Sequence, residues 1–142
     1  MNDLERAQAC AATMHANDLA SRSLGIDIEI PSPGAAIATM RVRDDMVNGF
    51  DICHGGLVFT LADTAFAFAC NAYDDLTVAG GGAIEFLRPA RRGDLLRADA
   101  SEEYRGRRRG NYKVSVSNQD QQLIALFQGR SVSRGERLLG HE

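Results

Sequence analysis

Asp63 is the only charged side chain between His54 and Tyr73, inside the run GGLVFTLADTAFAFACNA that spans residues 55–72. Asp is a poor residue for a helix interior. Burying its charge without partners costs several kcal/mol or forces the group neutral. A carboxylate in such surroundings points to chemistry rather than support, although a buried Asp can also cap a backbone or pair with an arginine. Just ahead lies Asn48-Gly49-Phe50-Asp51-Ile52-Cys53-His54-Gly55-Gly56, a polar, glycine-rich lead-in to the same apolar run. A helix beginning near Gly55 presents free N–H groups and a positive dipole end, suited to an anion or a polarised carbonyl. Glycines there admit a ligand close to the backbone. The same pair could simply form a tight turn.

The spacing of these groups constrains how they could cooperate. Asp63 follows Gly55 by eight residues, about 12 Å along a helix axis. That is too far for both to touch one reacting carbon. If they share a substrate, the carboxylate comes from a second copy packed antiparallel. A two-fold dimer would then build two identical sites.

Periodicity predicts the elements that carry these residues. Residues 3–16 read as a helix capped by Asn2 or Asp3, with Leu4, Ala7, Cys10 or Ala11, and Met14 on one face. A second short turn covers Asp18 to Ser23, so residues 1–23 form an N-terminal helical segment. Ile26, Ile28 and Ile30 alternate with acids, the period of a half-buried strand. Pro31-Ser32-Pro33-Gly34 reads as a turn, Ala36 to Val42 as the return strand and Arg43 to Gly56 as a loop. Gly56 to Ala72 reads as a helix apolar on nearly all sides, hence central and buried. Strands follow over Leu76 to Leu87, Asp94 to Tyr104, Asn111 to Asn118 and Leu123 to Ser133. Their hairpin-length separations predict an antiparallel sheet. The expected class is α+β: one domain over residues 1–142, with a long antiparallel sheet around one helix.

Bulk properties exclude several functions. The 142 residues carry a net charge of −3, unlike a general nucleic-acid binder, which is basic. No apolar run reaches the roughly 18 residues of a membrane span. The N-terminus is amphipathic without a signal-peptide core. Cys10, Cys53 and Cys70 match no zinc spacing, and their odd number fits reduced thiols in a cytoplasmic protein. No metal site is expected; His15, His54 and Cys53 have no ligand spacing. Cys53 reads as a small buried hydrophobe rather than a nucleophile paired with His54.

Asn48-x5-His54-Gly55-Gly56-x6-Asp63-Thr64-Ala65 resembles the signature of the hotdog-fold acyl-CoA thioesterases, most closely the phenylacetic-acid-degradation (PaaI-type) branch. The similarity continues through Phe86-Leu87-Arg88-Pro89-Ala90-x2-Gly93-Asp94 to Leu126-Phe127-Gln128-Gly129. It implies a sheet wrapped around a central helix, joined edge to edge in a homodimer with shared sites, and commonly a homotetramer. It implies hydrolysis of an acyl-CoA to acid and coenzyme A, with an aryl-acetyl or hydroxylated aryl-acetyl group as the favoured acyl part. No cofactor is needed, since coenzyme A belongs to the substrate. The residue matching Gly55 offers its N–H to the thioester carbonyl. The residue matching Asp63, from the partner subunit, is base or nucleophile, while Asn48 and His54 shape the site. The family often carries Ser or Thr on the strand facing the carboxylate. Here that segment is Ala79-Gly80-Gly81-Gly82-Ala83, which leaves Thr64, Asn48 or a backbone carbonyl to place the water.

Orientation is the favoured role for His54, ahead of donating to the carbonyl or protonating the thiolate. Asn48 suits a loop carbonyl or the thioester equally. Seven arginines (Arg88, Arg91, Arg92, Arg105, Arg107, Arg108 and Arg109) crowd the later strands and their turns, and guanidinium forks suit the phosphates of coenzyme A. Gly56, Thr64, Gly81, Gly82, Arg88, Arg91, Arg107 and Arg108 are the expected substrate and coenzyme A contacts. Phe50, Phe59, Phe66 and Phe68 are candidates for an acyl pocket or for core. The competing functions are a non-catalytic acyl-CoA-binding module, which would not need Asp63, and a hydratase or dehydratase, which fits His54 and Asp63 less well.

Overall fold

Asn2 starts the chain's first helix through a capping box: its side chain accepts from the Glu5 amide, and the Glu5 carboxylate accepts from the Asn2 amide. The computed structural model describes residues 1–140. In chain order it contains helices α1 (Asp3–Asn17) and α2 (Leu19–Ser23), strands β1 (Asp27–Ser32) and β2 (Ala35–Arg41), and helix α3 (Gly55–Cys70). Strands β3 (Thr77–Phe86), β4 (Leu95–Arg105), β5 (Arg109–Ser117) and β6 (Leu123–Ser133) complete it. They form one antiparallel sheet in the order β1-β2-β4-β5-β6-β3, the hotdog arrangement, with α3 packed on one face.

Alternation explains why α3 sits where it does. Ala36, Ala38 and Met40 of β2, Leu96, Ala98 and Ala100 of β4, and Tyr112, Val114 and Val116 of β5 are all buried. This is the period-two inner face of a half-covered sheet. Alanines on β2 and β4 let the helix approach closely. Val58, Leu61, Ala62, Ala65, Phe66, Phe68 and Ala69 of α3 fill the space above them.

Several boundaries depart from the periodicity reading. β1 continues through Pro31 and Ser32 across a register shift, so the turn contracts to Pro33-Gly34; Gly34 there has φ +83°. α3 begins one residue earlier than expected and ends two residues sooner, at Cys70, followed by the C-cap Asn71, whose amide side chain donates to both the Ala67 and Thr77 carbonyls. The loop before α3 is partly ordered, with a 3-10 turn at Asp44–Met46 and a bridge between Val47 and Cys53. The largest difference concerns β3. It does not form a hairpin with β4 but pairs with β6 at the far edge, because α3 carries the chain across the sheet before β3 begins.

Nor is α3 covered all round. Phe59, Thr60, Asp63 and Ala67 form a half-buried stripe at helical spacing. β3 beside it has a hydrogen-bonding partner on one flank only.

Core packing accounts for one glycine of the similarity motif. A Cβ on Gly129 would lie 2.8–2.9 Å from three carbons of the Phe66 ring. That ring is held by Tyr112 and Phe127, with centroids at 5.5 and 5.9 Å. Gly129→Ala is therefore expected to destabilise the fold by about 1–3 kcal/mol through overpacking. A lowered denaturant midpoint checks this; an unchanged midpoint would show that the ring has room to retreat.

Candidate active site

The start of α3 leaves one amide uncommitted. His54 is the N-cap, and its Nδ1 accepts the Gly56 N–H at 2.9 Å. The Leu57 and Val58 amides both donate to the His54 carbonyl, at 2.9 and 3.3 Å. Among the described residues, no hydrogen bond uses the Gly55 N–H. It is thus the free donor at the positive end of a 16-residue helix. His54 is itself anchored, since its own N–H donates to the Met46 carbonyl. Orientation of the helix start is the role its geometry displays. Gly56, expected as a substrate contact, has no amide to offer because the imidazole occupies it.

Asn48 belongs to the same loop. Its Oδ1 accepts from the Phe50 amide at 2.9 Å and the Ile52 amide at 3.4 Å, which closes an Asx-type turn. No hydrogen bond of the described residues uses its Nδ2. Asn48 and Gly55 line one cavity of about 440 Å³, together with Val58, Phe86, Arg88 and Ile124. Arg92 braces the loop from outside, pairing with Asp44 at 3.2 Å and Asp51 at 2.7 Å. That commitment separates Arg92 from the phosphate-binding candidates.

Asp63 sits two turns along, on the half-buried stripe of α3. Burial pushes its carboxyl above the ordinary aspartate range, and no partner offsets the shift. The cavity at Gly55 is not lined by Asp63 of the same protomer. The structure therefore keeps the two groups apart within one chain, as the spacing predicts.

Other expected site residues are distributed more widely. Thr64 is buried; its hydroxyl donates to the Thr60 carbonyl at 2.7 Å and lies 3.5 Å from the Ser21 hydroxyl, on the α2 side of the helix. It has no surface to offer a ligand within its protomer. A Cβ on Gly81 would lie 2.5 Å from the Arg130 guanidinium, and one on Gly82 would lie 3.0 Å from the Phe127 ring. Side chains from β6 thus occupy the space these glycines vacate. Arg88 is exposed beside the Gly55 cavity, and Arg91 is exposed at the following turn. Arg107 and Arg108 lie in the β4–β5 turn beside Cys70 and Thr77, at the other end of α3. That end is about 24 Å from the first along the axis. Arg105 is engaged separately, its guanidinium 3.8 Å over the Tyr73 ring.

The aromatic candidates divide similarly. Phe66 and Phe68 are core, Phe59 packs edge-on against Phe127, and Phe50 is exposed on the loop. Phe86, not singled out as a pocket residue by sequence reasoning, packs against Gly55. The signal available was the alternation Gly82, Ile84, Phe86, which places all three on the helix side of β3. Burial pushes the Cys53 thiol up to about 11, so it stays protonated at neutral pH and is a poor nucleophile.

The thioesterase superfamily model matches residues 50–125, which include the helix start, Asp63 and Phe86. The chain is 44% identical to the acyl-coenzyme A thioesterase PaaI of Escherichia coli over 92% of its own length and 93% of that protein's. The solved E. coli PaaI, from a phenylacetic acid degradation operon, superposes with a TM-score of 0.94, covering 96% of this chain and 99% of that one at 42% identity. A Streptococcus mutans protein solved with acetyl CoA bound matches with a TM-score of 0.75 at 28% identity, over 79% of this chain and 90% of its own. The family model over residues 50–125 and the PaaI match over nearly the whole chain agree, and the chain belongs to the thioesterase superfamily, on its PaaI-like branch.

Proposed function

We propose that this thioesterase hydrolyses phenylacetyl-CoA, its hydroxylated relatives or a similar aryl or medium acyl-CoA, at sites shared between two protomers. The observation that carries this reading is the uncommitted Gly55 amide together with the partnerless Asp63 carboxylate, held on one rigid helix but too far apart to meet within it. The substrate class follows the relative's operon.

In this reading the thioester carbonyl oxygen accepts from the Gly55 N–H, which stabilises the oxyanion as it forms. The partner subunit's Asp63 takes a proton from water as hydroxide adds to the carbonyl carbon. The C–S bond then breaks, and coenzyme A leaves as the thiolate. In the nucleophilic variant, the carboxylate adds instead to give a mixed anhydride that water later opens. His54 holds the amide in line, and Asn48 borders the same cavity. The free edge of β3 and the half-buried α3 stripe beside it support a dimer in which β3 pairs antiparallel with its copy. Such pairing would bring the partner subunit's Arg107 and Arg108 towards Arg88 and Arg91, giving two sets of forks for the coenzyme A phosphates. A second assembly step to a tetramer would use the sheet face turned away from α3, where Ile37, Lys113 and Leu126 border a hollow of about 780 Å³. Three free buried thiols fit a cytoplasmic setting.

A panel of phenylacetyl-, hydroxyphenylacetyl-, benzoyl- and straight-chain acyl-CoA esters, followed by thiol release, tests the substrate class. The aryl-acetyl esters are expected to show the highest kcat/KM. A straight-chain ester turned over about tenfold better than any aryl ester would overturn the aryl-acetyl assignment and leave the medium-acyl reading.

A further inference from the structure

We propose that Phe86 sets the acyl preference of this site. Its ring is the wall against which a flat acyl group lies when the thioester carbonyl rests on the Gly55 amide. The inference builds on the Gly55 reading given above and adds the surface that selects the substrate.

The ring's position is well determined by its neighbours. A Cβ on Gly55 would lie 3.1, 3.4 and 3.5 Å from three carbons of the Phe86 ring. The ring therefore rests directly on the first residue of α3, beside the amide the mechanism uses. Pairing of Phe86 with Ala125, which is fully buried, turns it towards the helix side of the sheet, while Glu85 pairs with exposed Leu126 and faces the other way. Strand geometry holds that alternation, since swinging the ring to the other face would require a one-residue slip of β3.

Phe86 is nevertheless 55% exposed, and Leu87 beside it is 53% exposed. Half of a phenyl ring is left open towards a cavity whose other walls include Val58, Pro89 and Ile124. Apolar surface at a cavity wall favours an apolar occupant. Arg88 is the one charged side chain on that lining and is assigned above to the coenzyme A phosphates, which leaves the wall beside the amide largely apolar. A planar group gains ring-on-ring geometry from Phe86 that a flexible alkyl chain cannot. An alkyl chain gains only buried area, which leucine would supply equally.

That difference defines the test. Wild type, Phe86→Leu and Phe86→Tyr are assayed with phenylacetyl-CoA and hexanoyl-CoA. Phe86→Leu is expected to lower the phenylacetyl-to-hexanoyl ratio of kcat/KM by about tenfold, and Phe86→Tyr to keep it within about twofold of wild type. A merely structural ring would lower both substrates alike. A ratio in Phe86→Leu that stays within about twofold of wild type overturns the proposal. Asp63→Asn in the same assay keeps the two readings distinguishable. If it is inactive while the ratio does not move, Phe86 alone loses its role; if it turns over normally, the site reading falls.

Discussion

Asp63→Asn is expected to lower kcat for acyl-CoA hydrolysis by about 10³-fold, the scale of losing a base or nucleophile. Affinity for the ester is expected to survive, because the side chain keeps its shape and the Gly55 amide is untouched. Unchanged turnover would remove Asp63 from the chemistry. The wild-type pH profile supplies a second readout. Burial holds the Asp63 carboxyl above the ordinary aspartate range, whose reference value is about 3.9. The reaction needs the ionised form, so activity is lost as pH falls through that raised value, and the residual activity of Asp63→Asn lacks this acid limb. Stability moves the other way. A folded-state pKa above the unfolded one favours the protonated fold at low pH, and that advantage disappears as pH rises through the folded value. At neutral pH the ionised carboxylate is a burden that asparagine relieves. Asp63→Asn is therefore expected to melt at or above the wild-type temperature at pH 7, with the gap closing in acid.

Gly55→Pro is the complementary lesion, and α3 is built to tolerate it. Position 55 is the first helical residue, where proline is favoured because its missing N–H has no intrahelical partner. Proline requires an extended residue before it, and His54 already has φ −57° and ψ 129°. The substitution removes the proposed donor and leaves the helix, while its Cβ, 3.1 Å from the Phe86 ring, obliges that ring to shift by a few tenths of an ångström. A loss of about 10²–10³-fold in kcat is expected. Mixing Gly55→Pro with Asp63→Asn then tests the shared site directly. Random exchange makes half of the dimers mixed, and each mixed dimer has one intact site of its two. Activity should recover to roughly a quarter of wild type. No recovery, with subunit exchange confirmed by mass, would overturn the shared site.

Much of this was legible in the sequence because it depends on local patterns. Ile26, Ile28 and Ile30 announced a strand, and the long apolar run around Asp63 announced the central helix. The eight-residue gap from Gly55 to Asp63 translates into distance without any tertiary knowledge. Neighbour relations were not legible. A period of two tells which face a residue takes but not which strand lies beside it, so the passage of β3 to the far edge beyond β6 left no mark. Gly81 and Gly82 were expected as ligand contacts, while Arg130 and Phe127, 49 and 45 residues later, pack beside them from the next strand. Thr64 beside Asp63 looked available, yet its hydroxyl turns back to the Thr60 carbonyl, a local bond that helical threonines make readily. The arginines looked like one cluster because they are close in sequence. The β4–β5 turn and the segment after β3 lie at opposite ends of a long helix.

β3 has a consequence for the living cell. Its ten residues, TVAGGGAIEF, contain no lysine or proline and a single acid near the end, so the usual deterrents to promiscuous strand addition are missing. A folded copy whose β3 edge stays uncovered is open to strand addition by other copies. The dimer proposed above would shield this edge as well as complete the site, and lesions that loosen it would first deplete the soluble pool.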